Sequence, residues 1–140
     1  MLAAHIIAVV LWISALTTIY WLLRFHDHAP KEAHEKLTLL ERAMALSADI
    51  AAAVAIGCGI AMILSPVNLF TVKPAGWLHL KLSAVVLGIL PVHGILRGRI
   101  KRYGMGQIKP IPSWTWSLFL AGMTVAILAV TTKLNFISGS

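Results

Sequence analysis

The stretch "GWLHLKLSAVVLGILPVHG", residues 76–94, decides how the chain is read. Its length and apolar content are those of a membrane-crossing helix. About 20 residues at 1.5 Å each span a hydrocarbon core of about 30 Å. Yet it carries His79, Lys81 and His93, and ionisable groups inside a bilayer are costly enough to be rare and functional.

The rest of the chain fits the same reading. Of its 140 residues, 59% are hydrophobic and 12% charged. Soluble domains run at about 45–50% apolar and about 25% charged. Mean hydropathy is +0.84. Apolar stretches at 2–23, 43–64, 77–96 and 114–134 each match one bilayer crossing. No long segment remains outside them. The expectation is a single all-α domain: an integral membrane four-helix bundle. Its topology is up-down-up-down, because short loops make consecutive helices antiparallel.

A net charge of +7 would suggest nucleic acid on a soluble protein. Here the basic residues lie mostly between the spans, so they read as an orientation signal and no nucleic-acid partner is expected. Arg24, Lys31, Lys36 and Arg42 occupy the first loop. Arg97, Arg99, Lys101, Arg102 and Lys109 occupy the third, and Lys73 alone the second. Loops one and three are therefore expected in the cytoplasm, with both termini on the non-cytoplasmic side of a cell inner membrane. Trp21, Trp77, Trp114 and Trp116 fall near span ends, where aromatic belts sit. The N-terminus lacks a basic leader, so no cleaved signal peptide is expected. Cys58 is the single cysteine and forms no internal disulfide. Pro30 suits the start of a short surface helix in loop one.

Topology then matches residues by depth. Spans one and three run the same way, so His5 and His79 both lie near the outer end, on parallel helices. Two imidazoles facing each other there suit the axial positions of a haem iron, for which histidine is a common ligand. Bundle interiors often hold cofactors. Lys81, and Lys133 at the end of span four, come to a similar depth and either pair with the haem propionates or snorkel to the interface. Lys81 lies about 200° around the helix from His79, so it serves a rim or a neighbouring helix. Trp12, seven residues after His5, shares its face and either packs on the cofactor or fills the core.

Other polar residues read more plainly. His93 is about 21 Å along the helix from His79 and about 40° from the same face. A structural or proton-path role is expected for it. Pro91 should bend that helix and free the Leu87 carbonyl. Asp49 needs a partner, with Arg24, Arg42 and His93 as candidates. His26 and His28 in "HDH", with His34, read as a solvated loop, with a divalent metal site as the alternative. Small residues recur in span two, from Ala51 to Ala61. They permit close helix contact, room for a flat ring, or a homodimer.

The residues also carry a family resemblance. His5-Ile6-Ile7 is followed by Trp12. Glu41-Arg42 opens span two. "GWLHLKL" occupies residues 76–82, "RGRIKR" follows His93, and Lys133 closes span four. Together these resemble HemJ proteins, small four-helix membrane proteins that bind haem b and oxidise protoporphyrinogen IX to protoporphyrin IX. The resemblance covers most of the chain. It implies haem b, protoporphyrinogen IX or another porphyrin as substrate, and quinone as an onward electron acceptor. It makes Lys81 the catalytic candidate, holding a propionate or moving a proton. The chain departs from the family at the inner end of span one, where "IYWLLRFHDH" has no proline. It departs again at the entry to span four, where "PSWTWSLF" has no acidic residue.

Two other functions stay open. One is a non-enzymatic b-type electron carrier of the wider CopD-like group. The other is a copper-handling membrane protein using His5, His79, Met62 and the "HDH" loop, though Cu(I) prefers soft sulfur ligands and no Met-x-x-Met or paired-cysteine motif is present.

Overall fold

The computed structural model describes residues 1–65 and 76–138, with side-chain surroundings given for 1–65 and 78–131. The chain is all-α. Among the described residues there is no strand, and four helices are long and apolar enough to cross a membrane. They are α1 (Leu2–His28), α2 (His34–Ile63), a third built from α3 (Gly76–Ala84), a π-helical turn (Val85–Ile89) and α4 (Leu90–Gly104), and α5 (Trp114–Ser138). The expected spans are all present, and all four helices run past the predicted limits at one end or both. Only 22–39% of each apolar window is buried within the protein. The remaining apolar surface, Ile6, Ile7, Val10 and Leu11 among it, is what lipid would cover.

The first connection is shorter than the sequence suggests. α1 continues to His28, and Lys31–Ala33 forms a 3₁₀ turn that leads directly into α2. The surface helix expected from Pro30 is therefore the first part of α2 itself. Pro30 holds φ at −65° just ahead of the turn, and no breaker interrupts residues 34–63. α2 has 30 residues, about 45 Å at 1.5 Å each. It is longer than the hydrocarbon core, so one end extends beyond it.

Contacts divide the chain into two compact units. The first comprises Met1–Met62 and Gly94–Ile111. In it α1 and α2 run antiparallel: His5 lies against Ala55 and Gly59, and His26 against Glu41. α1 buries Ala8, Trp12, Ala15, Leu16, Ile19, Leu23 and His26, one stripe at spacings of three and four. α2 buries Glu41, Ala45, Ala48, Ala52 and Ala55 at the same period, so apart from Glu41 its inward face is methyl groups. Small side chains let helix backbones approach closely. The last part of α4 runs antiparallel to α2, placing Arg97 on Asp49 at 2.7 Å and Gly104 against Arg42. Asp49 is thus paired with Arg97, which lies outside the set expected for it. α4 ends in a Schellman arrangement. Gly106 adopts φ 81°, its N–H bonds the Tyr103 carbonyl, and Gln107 N–H bonds that of Arg102. The chain then folds back, and the Tyr103 hydroxyl donates to the Lys109 carbonyl at 2.6 Å.

The second unit comprises Ile63–His93 and Pro112–Ser140. α3 and the π turn pack antiparallel on α5. A Cβ at Gly88 would stand 3.0 Å from the Gly122 Cα, so glycine on both helices sets their separation. The π turn sits just before Pro91, and its last bond runs from Leu90 N–H to the Val85 carbonyl. The expected disturbance by proline thus takes the form of a wide turn.

Candidate functional site

His5 is half-buried on α1, one turn from its start. Its Nδ1 lies 2.8 Å from the Ala55 carbonyl oxygen. A carbonyl only accepts, so Nδ1 carries the proton, and Nε2 is left as the ring's lone-pair nitrogen. The ring edge rests over Gly59, where a Cβ would come within 3.3 Å of Cε1. A backbone carbonyl that fixes the tautomer and a glycine that admits the ring together orient Nε2. Metal-ligating histidines commonly donate their other N–H to such a carbonyl. The chemistry of His5 therefore fits an iron ligand.

The other sequence candidates fall as follows. Trp12 is buried on the same α1 stripe, 3% exposed, as its spacing from His5 required. His79 and Lys81 lie on α3 in the second unit. His79 is exposed and Lys81 half-buried, in keeping with their angular separation on one helix. His93 is half-buried on α4. Lys133 lies on α5 and Trp77 on α3, each with its side chain outside the described residues, and Lys73 lies outside the described residues altogether.

Loop one holds what the sequence reading missed. Far from being solvated, His26 is 2% exposed and Glu41 fully buried. His26 Nδ1 lies 2.6 Å from Glu41 Oε1, and His26 Nε2 lies 2.9 Å from His34 Nδ1. Tyr103 stands edge-on to the His26 ring at 5.1 Å, a favourable aromatic geometry. The second Glu41 oxygen, Oε2, is buried and has no hydrogen-bond partner. A cleft of about 310 Å³ opens beside the group, lined by His26, Pro30, Lys31, His34, Gly106 and Ile108. Both ring nitrogens of His26 are engaged by protein groups, and His28 is exposed. Among the described residues no group of three or more His, Cys, Asp or Glu side chains is arranged to hold a metal ion. A signal for the cluster was present. The α1 stripe at Leu16, Ile19 and Leu23 continues in phase to His26, and the α2 stripe at Ala48 and Ala45 continues back to Glu41.

No family model matches the chain, and no curated protein or solved structure is recognisably similar to it.

Proposed function

We propose that the chain is a multi-pass inner-membrane protein that holds haem b through His5 and His79 and oxidises protoporphyrinogen IX to protoporphyrin IX. The observation that carries the reading is the His5 ring, anchored through Nδ1 on Ala55 and seated over Gly59, with Nε2 left to bind iron. When bound, haem b supplies one-electron redox chemistry. The chain's own residues do the rest. Trp12 lends a buried aromatic surface on the same face as His5. Lys81, and Lys133 at the end of α5, pair with carboxylates of haem or substrate. Lys81 also takes a proton as the substrate loses hydrogen. Electrons pass on to a quinone in the bilayer. The excess of basic residues in and around loops one and three supports a cytoplasmic side for them. Small-residue faces suit a homodimer.

The test is an absorption spectrum of the detergent-purified protein, oxidised and dithionite-reduced, beside His5→Ala and His79→Ala. A Soret band with sharp reduced α and β bands is expected, lost in both variants. Turnover of protoporphyrinogen IX should fall with Lys81→Ala while the spectrum survives. A haem spectrum without turnover would convert the reading to a b-type electron carrier. A colourless protein, even when expressed with added haem, would end both readings and turn attention to copper.

A further inference from the structure

The His34–His26–Glu41 group has a property that follows from counting protons. Each neutral imidazole has one N–H and one lone pair. Each of the two hydrogen bonds holds one proton. With Glu41 ionised, the Glu41 oxygen must accept from His26 Nδ1–H. His26 Nε2 is then a lone pair and must accept from His34 Nδ1–H. His34 Nε2 is left as a lone pair on a residue that lines the cleft. One arrangement of donors is consistent with this charge, and every bond points toward Glu41.

Adding one proton at His34 Nε2 permits a second arrangement. The proton on His34 Nδ1 moves to His26 Nε2. The proton on His26 Nδ1 moves to Glu41 Oε1. Both rings end neutral with N–H on Nε2, and Glu41 ends as a carboxylic acid. One proton enters, one net negative charge is removed, and both hydrogen bonds survive with donor and acceptor exchanged. No other atom has to move far, because both bonds already have transfer geometry.

We propose that His34, His26 and Glu41 form a one-proton relay, loaded from the cleft and storing its proton on the buried Glu41 carboxyl. Three observations besides the bond lengths support it. The cleft has room for several waters, each occupying about 30 Å³ in the liquid, so protons reach His34. Glu41 Oε2 is buried and unpartnered. A carboxylate with one orphaned oxygen in a low-dielectric site has reason to exchange its charge for a proton. Tyr103 is excluded from the chain of transfer, since its hydroxyl donates to the Lys109 carbonyl, and its ring closes off the side of His26. The other ionisable groups around the relay are Lys31 on the cleft wall, Arg42 of α2 against Gly104, and Asp27 and Arg99 within electrostatic reach of Tyr103. The relay does not depend on haem and stands or falls separately from the function proposed above.

The test is a pH titration of the detergent-solubilised native protein labelled with ¹⁵N-histidine, read by nuclear magnetic resonance. His26→Gln and His34→Gln spectra assign the signals. As pH falls, His26 and His34 should both switch from the Nδ1–H to the Nε2–H tautomer with one shared midpoint. A carboxylic-acid band should appear in the infrared spectrum at that same midpoint. In Glu41→Gln the amide oxygen cannot take the proton. The two rings should then keep a single pair of tautomers across the titration, whichever the amide's oxygen or N–H selects, and the linked switch should be lost. Either histidine becoming doubly protonated in the native protein before the other switches would overturn the proposal. So would tautomers that stay fixed across the titration. The native titration decides the matter whether or not a variant folds.

Discussion

The seat of His5 can be measured as a coupling energy. Gly57 and Gly59 lie two residues apart on α2. A Cβ at Gly57 meets nothing within 4 Å, whereas one at Gly59 lies 3.3 Å from His5 Cε1. Glycine to alanine inside a helix gains about 1 kcal/mol of intrinsic stability, so Gly57→Ala should stabilise by about that amount. At Gly59 the same gain is opposed. Carbon contacts settle at about 3.5–4.0 Å, so the ring must retreat by about 0.2–0.7 Å. That retreat strains the 2.8 Å bond to the Ala55 carbonyl. Such a bond contributes about 0.5–1.5 kcal/mol net. Gly59→Ala should therefore stay within about 0.5 kcal/mol of the native protein. In a His5→Ala background the obstacle is gone, and Gly59→Ala should stabilise as Gly57→Ala does. The assay is equilibrium unfolding in mixed micelles followed by helical circular dichroism, arranged as a double-mutant cycle. Coupling between His5 and Gly59 below about 0.3 kcal/mol would refute the argument that this glycine is there for the ring.

Two further perturbations address the helix contacts. Gly88→Ala should destabilise by about 1–3 kcal/mol, because its Cβ meets Gly122 backbone at 3.0 Å. The Gly88→Ala, Gly122→Ala double variant should cost less than the sum, since the first change already separates the helices; strict additivity in the same unfolding assay would count against a shared contact. Asp49→Asn and Arg97→Gln should each weaken the fold by roughly 0.2–1 kcal/mol. The exchange Asp49→Arg with Arg97→Asp should recover most of the loss, and a swap no more stable than the worse single variant would mean the pair contributes nothing.

Much of the fold was legible because a bilayer crossing is written in length and hydropathy. Those quantities survive ignorance of tertiary contacts, and they gave all four helices. Helix ends were less legible, since polar residues such as Arg24 and His26 look like loop when hydropathy alone is read. α1 keeps its helix through them because Leu23 and His26 share a buried face, and burial is a property of partners rather than of single residues. The His5 seat was half legible. The histidine stood out, but its carbonyl partner is fifty positions away, and backbone acceptors leave no mark in a sequence. The relay was the least legible part. A histidine within "HDH" and a glutamate opening a span each have ordinary surface explanations. Only the antiparallel closure of α1 on α2 brings them to 2.6 Å. The Asp49–Arg97 pair was illegible for the same reason: the register of α4 on α2 brings Arg97 to Asp49, and register follows from packing.

The π turn at Val85–Ile89 has a geometric consequence for the two histidines that flank it on the third span, His79 and His93. On a regular helix His79 and His93 would be about 40° apart in azimuth. A π turn accommodates one extra residue, which sets everything after it back by about 100°. The two imidazoles therefore diverge by about 140°, toward nearly opposite sides of the rod. One continuous helix thus carries two rotational phases.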